Sequence, residues 1–105
     1  MIVTTTDSIA GREIVEVIGL VRGSSVRARH LGKDISAFLT NIVGGEMVEY
    51  TKLLAEAREQ SLDRMLNEAR EQGANAVVGM RITGTEISVG AAEILIYGTA
   101  VRLAD

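Results

Sequence analysis

Residues 44–82, GGEMVEYTKLLAEAREQSLDRMLNEAREQGANAVVGMRI, hold a glycine pair, 27 residues free of glycine and proline, one glycine and an apolar run. The pattern predicts a single helix over 46–72 followed by a strand over 75–83. With Met47 at zero and about 100° per residue, Leu54, Ser61, Met65 and Ala69 fall within about 40° of one line. Tyr50, Ala57 and Leu62 widen that stripe, whereas Glu49, Lys52, Glu56, Glu59, Gln60, Asp63, Asn67 and Arg70 fall on the opposite side. Such a helix is about 40 Å long at 1.5 Å per residue. Gly73 stands where a helix stops on a residue of positive φ.

Working outward, 93–103 (EILIYGTAVRL) reads as a second strand, joined to the first by a hairpin or loop over 84–90. Upstream, 12–22 (REIVEVIGLVR) is a Val- and Ile-rich strand, and Gly23-Ser24-Ser25 reads as a turn or bulge after it. Ile2–Thr5 suits a short edge strand. Between 30 and 43, Ile35, Phe38, Leu39 and Ile42 recur at helical spacing and predict a short helix. The whole is an α+β fold, an antiparallel sheet packed on one long helix. All 105 residues form one domain.

The strands carry apolar residues on both faces. Leu95, Tyr97, Thr99, Val101 and Leu103 share one face of the last strand, with Ile94, Ile96, Gly98 and Ala100 on the other. The 12–22 strand does the same, with Val15, Val17 and Val21 opposed to Ile14, Ile18 and Leu20. A half-solvated antiparallel sheet alternates instead. One long helix covers one face, so the other calls for further subunits or for the short helix crossing over.

Composition narrows the function classes. Hydrophobic residues make up 47% and charged ones 24%, which excludes disorder, and with aromatics at 3% the core must be aliphatic. A net charge of −3 argues against nucleic acid or an acidic membrane as the partner. Without cysteine there is no disulfide, thiolate metal site or cysteine nucleophile. No signal peptide and no apolar run of about 20 residues is present, so the expected location is the cytoplasm.

The segments GGE, LLAEARE, NEA, GANAVVGMRI and YGTAVRL together identify the chain as a member of the YbjQ-like family of small prokaryotic proteins. The likeness runs from VIGLVRG to the end. It implies a dodecin-like subunit topology and assembly into a ring, with a homopentamer as the expected state. The family carries a heavy-metal-binding label. This chain departs from that label, having no cysteine and one histidine, which disfavours a soft-metal site.

Several residues invite a functional reading. Arg58 falls about 20° from the stripe line, near Leu54, Leu62 and Met65. Buried there it would need a partner, with Glu93 first and Glu13 or Glu16 as alternatives. The pair would hold a small anionic ligand through the guanidinium fork, or act as a structural or intersubunit ion pair. Gly44 and Gly45 precede a helix N-terminus, an anion-binding position, although Glu46 competes for it and no dinucleotide or P-loop motif follows. Arg22, Arg27, Arg29, His30 and Lys33 form a basic cluster that reads as a solvated rim. Glu56, Glu59 and Asp63 read as solvated helix charges. No catalytic residue and no metal ligand stands out. The expectation is a non-enzymatic, ring-forming binding or scaffold protein with a ligand site between subunits and no identified cofactor. A metal-ion binder using carboxylates is the alternative.

Overall fold

A computed structural model describes residues 1–28 and 48–105. The short helix expected within 30–43 and the pair Gly44–Gly45 lie outside the described residues. In chain order the elements are β1 (Ile2–Val3), β2 (Ile14–Ala28), α1 (Val48–Glu71), β3 (Ala76–Ser88) and β4 (Ala91–Leu103).

The four strands form one sheet in the order β1-β3-β4-β2. Three strands are antiparallel neighbours, as expected, but β1 joins β3 in parallel, so the sheet is mixed. The reason is local: the chain after Val3 bonds along the β3 edge, with Thr4 N donating to Val77 O and Met80 N to Thr4 O.

Helix α1 ends as the glycine predicts. Gly73 has φ 85°, Ala74 N donates to Ala69 O and Gly73 N to Arg70 O, both at 3.0 Å. These are the paired bonds of a Schellman cap. Asn75 then anchors the returning chain, its side chain donating to Leu103 O at 3.2 Å and accepting from Leu103 N at 2.7 Å.

Two readings of the strands are corrected. Gly23-Ser24-Ser25 is no turn, because β2 runs straight through it for 15 residues. A Cβ on Gly23 would meet Ser61 O, and Met65 N at 2.5 Å, so the glycine is there for close contact between strand and helix backbones. Likewise Gly84–Ser88 belongs to β3, and only Val89 and Gly90 make the turn.

The core has two parts, one on each sheet face. Under α1 lie Val21, Met65, Ala69, Val77, Ile96 and Ala100. Behind the sheet lie Ala76, Val78, Val101 and Leu103, covered by Ile9 and Ile14 from the chain's own N-terminal turn. Among the described residues that cover stops short. Val15, Val17, Leu20, Val26, Ile87 and Val89 are all exposed, from 53% to 88%, and Ile82, opposite Ile96 and so on the helix side, is 49% exposed. The Cα radius of gyration is 17.7 Å and the longest dimension 55 Å. A compact chain of this length has a radius of about 13 Å.

Candidate functional site

The buried line of α1 is Ala57, Ser61, Met65 and Ala69. Four residues turn a helix by about 400°, so this line creeps about 40° per step around the axis. The helix therefore packs along an oblique i±4 ridge and not along a line parallel to its axis. In the turn of Arg58 the residue facing the sheet is Ala57, and Arg58 is exposed. Glu93 lies in β4 one residue before Ile94, which packs towards α1, so strand alternation puts its side chain on the opposite sheet face. Glu13 and Glu16 are exposed at the far end of β2. Within one chain the structure does not bring Arg58 and Glu93 together.

What the seam does contain is a hydroxyl relay that sequence reasoning missed. Ser25 Oγ donates to Ala57 O at 2.7 Å, Ser61 Oγ donates to Ile94 O at 2.8 Å, and the two Oγ atoms are 2.9 Å apart. Three contacts share two hydroxyl hydrogens, and the carbonyls only accept, so two bonds form at a time. Both serines are buried. The relay ties α1 to β2 and β4. Ser61→Ala removes the donor to Ile94 O and should cost about 1–2 kcal/mol in denaturant unfolding.

The basic cluster is split by the sheet. Arg27 follows Ser25 on the helix side, while Arg22 alternates to the back. Arg29, His30 and Lys33 lie outside the described residues. Arg27 has a buried Nε with no hydrogen-bond partner. It flanks a groove of about 480 Å³ whose other wall is Lys52, Glu56, Glu59, Gln60 and Asp63. The helix carboxylates thus line an open groove beside β2, which helical periodicity alone does not show.

On the back face three residues form a row across the sheet. Arg22 in β2 and Arg81 in β3 are both paired with Tyr97 in β4. A bulge makes this possible. Between Val78↔Thr99 and Arg81↔Tyr97, β3 carries Gly79 and Met80 opposite Gly98 alone. Gly79 has φ 62°. At Gly98 an added Cβ would lie 2.7 Å from Val77 Cγ1 and 3.2 Å from Val78 O. With no extra residue, Met80 would oppose Tyr97 and Arg81 would turn to the helix side. Glycine at 79 and 98 was the available signal, but only pairing register gives it meaning.

A heavy-metal site was tested against these residues. Soft metals select thiolate and imidazole. The chain has no cysteine and one histidine, His30, outside the described residues. Among the described residues, no three His, Cys, Asp or Glu side chains converge. They do not fit such a site.

The arrangement is that of a small α+β domain, one helix on a four-stranded mixed sheet. A crystal structure from Pediococcus pentosaceus, of a protein described as of unknown function and of the DUF74 family, shares this fold. Its TM-score is 0.64 at 18% identity, over 99% of this chain and 98% of that one. The chain belongs to the YbjQ family, whose model, described as "putative heavy-metal-binding", matches residues 1–104. UPF0145 proteins are similar over nearly the full length. That of Methanosarcina acetivorans is 52% identical, covering 98% of this chain and 97% of the relative. That of Archaeoglobus fulgidus is 54% identical (98% and 95%), and that of Thermus thermophilus 52% (98% and 90%). Among the described residues, no helix is long and apolar enough to cross a membrane.

Proposed function

We propose that this protein is a non-enzymatic binding or scaffold protein that acts as a closed ring of identical, dodecin-like subunits in the cytoplasm, with a pentamer as the expected state. The observation that carries the reading is the set of large apolar side chains that stay exposed among the described residues. Val15, Val17, Leu20 and Val26 on β2 and Ile82 and Ile87 on β3 are each at least 49% exposed. Exposed apolar side chains in this number mark an interaction surface.

The sheet edges support the same reading. Among the described residues, strand β2 is a 15-residue edge with β4 as its one neighbour. At the opposite edge, main-chain bonds from the N-terminal segment reach β3 only as far as Met80. A long unpaired apolar edge recruits another strand. Two different open edges on one chain join head to tail, and such contacts close into rings when the rotation permits. Ligand pockets then arise between subunits.

The test is light scattering on the eluted protein together with native mass spectrometry. A single closed oligomer at micromolar concentration is expected, with its mass unchanged by chelator. A monodisperse monomer overturns the reading. A stoichiometric metal lost with chelator, together with the ring, replaces it with the family's metal-binding label.

A further inference from the structure

We propose that Arg64 is an autoinhibitory latch on the outer edge of β2: in the free subunit its guanidinium holds Ser24 O, the main-chain acceptor at the centre of that edge, and a strand of a second copy joins β2 by taking the bond over. The inference rests on the ring reading and adds to it a residue that controls how the ring forms.

The direction of the Ser24 carbonyl follows from the ladder. Val101 O accepts from Asn75 N on the β3 side of β4, and Ala104 N donates to Glu13 O on the β2 side. Main-chain groups of an antiparallel strand alternate between its two neighbours, so odd-numbered residues of β4 bond to β3 and even-numbered ones to β2. Val21, Gly23, Ser25 and Arg27 stand opposite Gly98, Ile96, Ile94 and Ala92 and bond inward. Leu20, Arg22, Ser24, Val26 and Ala28 therefore turn N–H and C=O outward, away from β4. Ser24 is the middle one of these, and its carbonyl accepts from Arg64 Nη1. Arg64 is seated for this contact. Its Cβ lies 2.8 Å from where a Cβ on Gly23 would be, so the side chain starts directly over β2 and reaches across its edge.

The opposite edge of the sheet supplies the strand that competes. By the same alternation Val77 turns outward from β3, and Thr4 N donates to its carbonyl. Past Met80 the outward residues of β3 are Ile82, Gly84 and Glu86, opposite Ile96, Ile94 and Ala92. Laid along β2 beyond its bulge at Gly19, three such residues span three of the five outward positions, and every placement includes Ser24. A second copy presenting this run meets Arg64 whichever register it takes. Charged side chains on an exposed edge guard it against unplanned strand addition. Here one hydrogen bond holds the guard, and a main-chain N–H replaces it, so docking is slowed and not forbidden.

The test follows assembly of the full chain by light scattering after dilution from denaturant. Native mass spectrometry then reads the chain concentration at which rings and single chains are equal. Arg64→Met keeps a stem over Gly23 and removes the donor. It should assemble about five- to tenfold faster and hold together at a correspondingly lower concentration. Arg64→Lys, which keeps the charge on a single nitrogen, should fall between. Arg70→Met, which loses a bond to Asn67 Oδ1 on the same helix, should match the parent. Circular dichroism melts check that each variant is folded. A ring whose assembly is unchanged or slowed in Arg64→Met overturns the latch and leaves the ring. Rings in Arg64→Met from a parent that stays single-chain keep the latch and remove the ring reading. Single chains in both overturn both.

Discussion

Gly23→Ala should lower the stability of the fold by at least about 3 kcal/mol, moving the thermal midpoint down by about 12 °C or more. The added methyl would meet Ser61 O, Met65 N at 2.5 Å and Arg64 Cβ at 2.8 Å. Two of the three are backbone atoms of α1, which cannot rotate away. Relief requires the helix to lift from β2, and that also breaks the bonds from Ser25 Oγ to Ala57 O and from Arg64 to Ser24 O. Gly84→Ala is the matched control. There the nearest atom is Ile94 Cδ1 at 3.3 Å, the far end of a flexible side chain. That variant should be neutral or gain up to about 1 kcal/mol, since alanine loses less freedom in a strand. Circular dichroism melts at one chain concentration read both. Equal midpoints for Gly23→Ala and the parent would refute the backbone contact.

Met65→Ala should cost about 3 kcal/mol, within the usual 2–5 for emptying a core position. Met65 is fully buried and the largest such side chain, packed with Val21, Ala69, Val77, Ile96 and Ala100. Its fully buried neighbours are valine, isoleucine and alanine, which do not extend far enough to fill the space, so much of the cavity persists. Chemical denaturation should show a lower midpoint at unchanged slope. Arg58→Met provides the contrast, because Arg58 is exposed and its replacement should change folding stability by less than about 0.5 kcal/mol. Comparison at a fixed chain concentration matters, since assembly adds its own stabilisation. A cost for Arg58→Met that matches that of Met65→Ala would reinstate the arginine in the buried stripe.

The helix was legible because its signals are local. Four apolar or small residues at four-residue spacing, and a glycine at position 73, need no knowledge of the rest of the chain. Strands β2, β3 and β4 were legible for the same reason, as was the surplus of apolar residues on their second face. The failures share a cause. Gly23-Ser24-Ser25 and Gly84–Ser88 carry turn-like composition, yet small residues also suit a strand pressed against a helix or a hairpin arm standing clear of the core. Composition does not separate these cases. Arg58 was misplaced because a straight stripe was drawn on a helix whose contact line is oblique, and the obliquity comes from how α1 lies on β2.

By itself the sequence determined the α+β class, the long helix with its stop, the aliphatic core, the apolar second face and the family. Each depends on residue spacing within one element or on the whole chain's likeness to others. Tertiary structure alone decided the parallel β1, the serine relay, the groove beside Arg27 and the row Arg22–Tyr97–Arg81. Those depend on register between strands, and one residue of bulge reverses which face a side chain occupies. Residues 44–82 contain both kinds of information: the helix is written in its periodicity, whereas Gly79 and Arg81 take their meaning from the strand they lie beside.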